Sequence, residues 1–367
     1  MASRSTSFLA LISGRRKGLP YDLIRAGLAS LSLIYRFTIA LRNAYYDIFR
    51  SKQRNVGCPV ISIGNITVGG TGKTPLAVRI AGDLIERGRK VAILTRGYKG
   101  GQNRDGRGHE SDEALVLQQR CPKASVVIDP DRIAGGRRAR AQGADVLLLD
   151  DGFQHRRLAR DLDIVLIDAT APFGYGWMLP RGLLREPLKS LRRADVIVLT
   201  RSDLVDASSR RLMLAQVNRT SGGKPVVHAV HRIVGFMDIA GEAIPVEGAG
   251  AMRAVVFAGI ANFDSFRRSV EETGVEIVAA YEYPDHHDYT SEEITALGDV
   301  AVTLEANVIL TTEKDAVKLT GRWKEEGCRL LVLRLEIEFD EAGDKILSDM
   351  MDDTLESGGR CTPTSGD

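Results

Sequence analysis

Cysteine is scarce: Cys58, Cys121, Cys328 and Cys361 are the only four in 367 residues, and no two form a Cys-x-x-Cys pair. Scattered thiols of this kind give neither a disulfide framework nor a zinc site, and they fit a reducing compartment. Net charge of one sign is also nearly absent, at +2, although 27% of residues are charged and 44% are hydrophobic. Such a balance argues against a disordered chain and against a general nucleic-acid binder, so no nucleic-acid partner is expected. The length allows one large core or two modest ones. Long hydrophobic runs are missing. Phe8 to Ile12 is too short for a secretory signal, and Ala26 to Tyr35, the longest charge-free run of the segment that follows, is too short to span a bilayer. No internal repeat is found.

The charge is unevenly spread. Through Arg54, ten Lys/Arg face only Asp22 and Asp47, which leaves the remainder net acidic. Leu19 to Arg50 carries Ile24, Leu28, Leu31, Tyr35, Ile39, Tyr46 and Phe49 on one face at helical period, with Pro20 near the helix start. Arg42 interrupts that stripe, and Arg25, Arg36 and Arg50 flank it. An apolar face beside basic residues suits an interfacial helix on anionic lipid. A helix packed on the protein's own core shows the same stripe, and this stretch alone favours the packed reading.

Beyond it, apolar runs alternate with helical stretches. Pro59 to Ile63, Val91 to Thr95, Ser125 to Ile128, Val146 to Leu149, Ile164 to Ile167 and Val196 to Leu199 read as buried strands of a parallel sheet covered on both faces. Ser221 to Lys224 reads as a linker. Strands near Ala254 to Phe257, Glu276 to Tyr281, Val308 to Leu310 and Leu330 to Leu333, with helices such as Ser291 to Glu305, indicate a second, smaller α/β unit. The expected division is 1–54 for the basic amphipathic helix, 55–222 for a core, 223–346 for the smaller unit and 347–367 for a loose, acidic and then Gly/Ser-rich tail.

Ile61 to Thr74 is the most informative segment. A strand ends, glycines follow, and Gly72-Lys73-Thr74 opens a helix whose first turn takes Pro75. Glycines let backbone N–H groups converge on phosphate oxygens, and a helix N-terminus adds favourable partial charge. In such a loop Lys73 reaches the outer phosphates and the Thr74 hydroxyl binds Mg²⁺, so Thr67, Val68, Gly69, Gly70, Thr71, Gly72, Lys73 and Thr74 are the candidate nucleotide cradle. The fold class expected is therefore α/β with a P-loop NTPase-like parallel sheet, a second, smaller α/β domain and an N-terminal amphipathic helix. One departure stands out: Thr67 occupies the place of the usual first glycine, and Gly69 and Gly70 are left to supply its flexibility.

Val146 to Asp150 is a buried strand that ends in Asp150-Asp151. An acid at such a strand end holds the metal of nucleoside-triphosphate enzymes. Adjacent side chains on a strand point to opposite faces, so one of the pair is expected to face the metal, and the sequence does not say which. Gln154 and His155 fall at the same carboxyl edge, where open α/β sheets bind ligands. Thr95-Arg96-Gly97-Tyr98 ends another strand before a Gly/Arg-rich loop that runs to Ser111-Asp112-Glu113. That loop suits a phosphorylated substrate or is merely solvated. Tyr283 to Tyr289 contains two adjacent histidines without zinc-ligand spacing. It reads either as a polar turn or as a His–carboxylate pair for proton handling.

Taken together, these segments resemble the tetraacyldisaccharide 4′-kinase family of lipid A biosynthesis. The resemblance rests on Gly64-Asn65 through Thr74-Pro75, Arg96-Gly97-Tyr98, Asp112-Glu113 and Asp150-Asp151-Gly152-Phe153-Gln154-His155. It continues in Leu179-Pro180, Leu184-Arg185-Glu186-Pro187, Phe257 to Asn262, Pro284-Asp285-His286-His287 and Thr311 to Ala316. It implies an enzyme that transfers the ATP γ-phosphoryl group, with Mg²⁺, to the 4′-hydroxyl of an acylated glucosamine disaccharide 1-phosphate. It also implies Asp112 as base, His286 as its partner, and a membrane-associated N-terminal helix at the cytoplasmic face of the inner membrane, which reverses the packed-helix preference. Departures are modest: Lys99, Ser111, Ala261 and Phe263 replace residues common in the family, and Ser111 bears on the loop that sets Asp112. The alternative is a nucleotide-dependent switch or metallochaperone of the same loop-containing superfamily, for which Thr200-Arg201-Ser202-Asp203 offers a faint guanine-reading pattern.

Overall fold

The computed structural model describes residues 4–49, 52–97, 111–323 and 328–358. Tyr98, Lys99 and the Gly/Arg-rich loop up to residue 110 lie outside them. In chain order the elements are α1 (Arg4–Ile12), α2 (Leu19–Ile48), β1 (Val60–Asn65), α3 (Lys73–Glu86), β2 (Val91–Thr95), α4 (Asp112–Arg120), β3 (Ser125–Ile128), α5 (Arg132–Ala141), β4 (Val146–Asp150), β5 (Leu162–Asp168), β6 (Val196–Thr200) and α6 (Ala207–Ser221). They continue with β7 (Val226–Asp238), β8 (Ala243–Ile244), β9 (Arg253–Ala258), α7 (Phe263–Glu272), β10 (Glu276–Glu282), α8 (Ser291–Thr303), β11 (Val308–Thr311), α9 (Glu313–Leu319), β12 (Arg329–Phe339) and α10 (Glu341–Gly358).

The chain forms two compact units. The smaller takes in Ser111–Val116 and His231–Glu336, and the larger holds most of the rest. In the larger unit the strands pair in parallel in the order β7-β6-β5-β1-β4-β2-β3. Every residue of β1, β2, β4 and β6 is buried, because helices cover both faces. Ile61, Ile63, Leu148 and Ile164 meet Leu76, Ile80 and Leu84 of α3 on one side of the sheet, and Val60, Leu94 and Leu149 meet Ile133 of α5 in a separate cluster. In the smaller unit β10-β9-β11-β12 are parallel, with Phe266 and Val270 of α7 in one core cluster and Leu297 and Ala301 of α8 in another.

The division differs from the one expected at 222/223. Gly222, in the left-handed conformation at φ 79°, caps α6 and leads into β7 within the larger unit, and the chain crosses to the smaller unit inside β7. A Ser-Gly-Gly run signals a helix C-cap as readily as a linker. The expected loose tail from 347 is helix as far as Gly358. Leu347, Met351 and Leu355 are buried in the same cluster as α3, and their i, i+4 spacing outweighs the acidic composition.

Helix α2, 30 residues long, is apolar and long enough by composition to cross a membrane, despite its short charge-free run. Its stripe divides between two environments. Ile39 is buried, and Ser32 Oγ donates to the Met178 carbonyl at 2.8 Å and Tyr35 Oη to the Arg185 carbonyl at 3.1 Å. Leu23, Ile34, Phe37, Leu41 and Ile48, with Ile24, Leu31 and Phe49 from the expected stripe, are exposed.

Candidate active site

In the larger unit, β1 delivers the chain to the glycine loop. A Cβ on Gly64 would lie 2.5 Å from the Phe153 Cβ and 2.7 Å from its backbone nitrogen, so only glycine lets the segment after β4 pass so close to β1. Gly69 at φ 125° and Gly72 at φ 89° adopt backbone that other residues resist, whereas Thr67 does not. The bend expected of the missing first glycine is therefore carried two residues later. The N–H groups of Gly70, Thr71, Gly72 and Lys73 have no hydrogen-bond partner among the described residues, as a cradle for phosphate oxygens requires. The loop is braced from behind. Val68 N donates to Leu183 O at 2.8 Å, Asn65 Nδ2 to Thr71 Oγ1 at 3.1 Å, and Thr200 Oγ1 to Thr71 O at 3.0 Å. Gln154 Nε2 donates to Asn65 O at 2.8 Å and Arg201 Nη1 to Gly70 O at 3.1 Å.

Lys73 opens α3, and its Nζ lies 3.5 Å from Asp151 Oδ1. Asp151 follows β4 with φ 51°, a turn that changes where its side chain points, and Arg185 Nη1 donates to both its carboxylate oxygens at 3.1 and 2.8 Å. Burial raises the Asp151 carboxyl pKa, but Lys73 and Arg185 outweigh it and hold the group below its ordinary value, so it is a carboxylate at neutral pH. Asp150 is buried at the end of β4, and Arg132 Nη2 donates to its carbonyl at 3.2 Å. Burial pushes the Arg132 pKa down to about 10, and Arg96, near enough to repel it, adds to the fall. His155 is pushed down to about 4 by burial together with Arg132, Arg160 and Arg157, so its imidazole is neutral and brings no charge to a phosphate. Its Nε2 is buried without a hydrogen-bond partner among the described residues.

In the smaller unit, Asp112 and Glu113 open α4, and His286 sits at φ 60° in the loop after β10 with its N–H on the Gly259 carbonyl at 3.0 Å. His286 Nδ1 meets Asp112 Oδ2 at 2.9 Å, and Lys318 Nζ reaches the same oxygen at 3.0 Å. Burial raises the Asp112 pKa, but its bonds to His286 and Lys318 bring it below the ordinary carboxylate range. The bond to Asp112 raises the His286 pKa, against burial, and Asp285 and Glu113 reinforce the rise. His287, the other histidine of the pair, has a separate partner: its Nε2 meets Glu293 Oε2 at 2.9 Å, and Glu293 also closes the capping box of α8.

The loop, Lys73 and the acid pair fall in one unit as expected, but Asp112, expected in the 55–222 core, belongs with His286 in the smaller unit, because Ser111–Val116 packs there. Arg185 and Lys318 had no expected role, and Arg201 had only a place in the faint guanine-reading pattern of the alternative. Arg185 stood inside a quoted motif and Arg201 at a strand end, so position at the sheet's carboxyl edge was their available signal. Lys318 had none.

The chain matches the family described as Tetraacyldisaccharide-1-P 4'-kinase over residues 24–355. A relative from Pelobacter propionicus named Tetraacyldisaccharide 4'-kinase is 38% identical over 350 residues, covering 92% of this chain and 94% of the relative. One of the same name from Geobacter metallireducens is 41% identical over 315 residues, covering 81% and 89%. The crystal structure of the apo form of LpxK from Aquifex aeolicus in complex with ATP has a TM-score of 0.70 to this structure at 30% identity, covering 90% of this chain and 99% of that one. A phosphate loop with its lysine, a strand-end acid pair and an Asp–His pair are thus accompanied by likeness along nearly the whole chain, and the protein belongs to the tetraacyldisaccharide 4′-kinase family.

Proposed function

We propose that this kinase transfers the γ-phosphoryl group of ATP to the 4′-hydroxyl of a tetraacyldisaccharide 1-phosphate, with the glycine loop and Lys73 gripping the triphosphate and Asp112 taking the hydroxyl proton. The observation that carries the reading is Lys73 Nζ 3.5 Å from Asp151, at the mouth of a loop whose N–H groups are unclaimed among the described residues. ATP in the Aquifex aeolicus relative supports the choice of nucleotide. Phosphoryl transfer calls for positioning and charge neutralisation more than for covalent catalysis. The hydroxyl oxygen bonds to the γ-phosphorus, the bond to the β–γ bridging oxygen breaks, ADP leaves, and the proton passes to Asp112. His286, bonded to the other side of that carboxylate, orients it and stabilises its charge.

The donor set fits Mg²⁺, which takes one or two carboxylates and a hydroxyl together with substrate phosphates and waters. Thr74, Asp150 and Asp151 would hold it, and it would spread the charge on the phosphates. Arg96 and Gln154 remain candidates for the acceptor side, and a neutral His155 could contribute there only by hydrogen bonding. The exposed apolar face of α2, with Arg36 exposed on the same helix, supports a peripheral or monotopic place at the cytoplasmic face of the inner membrane, where the acyl chains of the acceptor would stay in lipid. Family membership disfavours the switch or metallochaperone alternative.

The test is labelled ATP with the disaccharide 1-phosphate acceptor, and the position of the product phosphate mapped. Lys73→Ala and Asp112→Ala should each lower kcat by about 100-fold or more, with ATP affinity lost in the first and kept in the second. Equal loss of ATP affinity in both would remove the role given to Asp112.

A further inference from the structure

Lys318 lies on the last turn of α9, with a side chain only 11% exposed. An ammonium group has three N–H donors, and each has an acceptor here. Nζ is 3.0 Å from Asp112 Oδ2, 3.1 Å from the His287 carbonyl and 3.5 Å from Asp315 Oδ1. Nothing remains to grip a substrate oxygen. The anchor behind it is firm. Asp315 is fully buried and accepts from Tyr289 Oη at 3.0 Å, the Gly259 N–H at 3.1 Å and Thr312 Oγ1 at 2.6 Å. Gly259 also holds the His286 N–H through its carbonyl, so one short segment fixes both partners of Asp112.

Both partners converge on a single oxygen. His286 Nδ1 and Lys318 Nζ meet at Oδ2, and among the described residues no hydrogen bond reaches Oδ1. The carboxylate is 17% exposed. We propose that Lys318 is a positioning residue that, with His286, clamps Oδ2 of Asp112 so that Oδ1 is the oxygen presented to the acceptor hydroxyl. This rests on the reading of Asp112 as the proton acceptor.

The charged groups around the pair set the sign of the test. Asp112 faces His286 and Lys318; His286 also faces Glu113, Asp285 and Lys314; Lys318 faces Asp315. Loss of the lysine charge removes a stabiliser of the carboxylate, so Asp112 holds its proton to higher pH and activity fails at higher pH as the medium is acidified. A neighbouring opposite charge is worth about one pH unit or more.

The experiment is the pH dependence of kcat for the full-length wild type, Lys318→Met, Lys318→Arg and Asp112→Asn, with ATP and the lipid acceptor at saturation. Lys318→Met should lower kcat about 10-fold or more and move the acidic limb up by about one pH unit, leave KM for ATP unchanged, and be largely rescued by Lys318→Arg. Lys318→Gln, which keeps a donor without the charge, serves if Lys318→Met melts early, and the same limb shift is expected. A kcat loss with an unmoved limb overturns the proposal, as does a defect confined to acceptor KM, since either makes Lys318 a structural or substrate-gripping residue. Substantial activity in Asp112→Asn would instead sink the underlying base assignment, so the two failures are distinguishable.

Discussion

Glu186→Gln should destabilise the larger unit through a single buried charge. Glu186 is fully buried, and its carboxylate accepts from Arg42 Nη2 at 2.9 Å, Asn43 Nδ2 at 3.0 Å and Arg193 Nη1 at 2.8 Å. Burial raises its pKa, but Arg193 and Arg42 more than offset this and hold it below the ordinary carboxylate range. Glutamine is nearly isosteric, yet it leaves two guanidinium groups without a counter-charge and replaces one acceptor with a donor. Breaking a buried pair from one side costs about 3–5 kcal/mol. The lower end applies here, because water reaches the Arg42 side chain, 33% exposed. About 3 kcal/mol in a unit of this size lowers Tm by roughly 6–12 °C. The folded pKa is depressed, so the stabilisation is complete above the ordinary glutamate pKa of about 4.3 and is lost as pH falls through the folded value. The variant's deficit should therefore be full at pH 7 and shrink in acid. Arg42 and Asn43 belong to α2, so hydrogen exchange along that helix should quicken at the same time. Thermal melts at pH 7 and pH 4 with exchange mass spectrometry make the assay. A Tm within about 2 °C of wild type at pH 7, or unchanged exchange in α2, would refute the reasoning.

Gly64→Ala places a methyl group 2.5 Å from the Phe153 Cβ and against its backbone nitrogen, so the segment after β4 must shift. A loss of about 1–3 kcal/mol is expected in chemical denaturation, and kcat should fall because that segment carries Asp151. Phe37→Asp puts a charge on the exposed apolar face of α2 without touching the Ser32, Tyr35 or Arg42 contacts. Co-sedimentation with anionic vesicles should drop while the melting temperature holds, and undiminished sedimentation would count against the helix as the lipid contact.

Much of the fold was legible because its signals are local. The strands of the parallel sheet are short, continuous apolar runs, and both sheet faces are covered, so no alternation confuses them. The failures share a cause. α10 was hidden by its acidic composition, since burial of Leu347, Met351 and Leu355 depends on what they pack against. The Gly222-Gly223 turn looked like a linker because a helix cap and a domain boundary use the same residue. The stripe of α2 is helical as its period indicates, yet contacts to residues 178–186, more than a hundred positions away, divide it between protein and solvent.

By itself the sequence laid out a glycine loop ending in Lys73-Thr74 and two acids closing an apolar strand, because glycine torsions, helix starts and strand ends are decided within a few residues. Asp112 and His286 came forward only through resemblance to the family, since they stand in motifs far apart along the chain. Only the tertiary structure decided how each group is charged and aimed. It set Asp151 between Lys73 and Arg185, buried His155 among arginines, and brought Lys318 and His286 to one oxygen of Asp112. Charge state and aim depend on burial and on partners distant in sequence, and those distances exist only after the chain has folded.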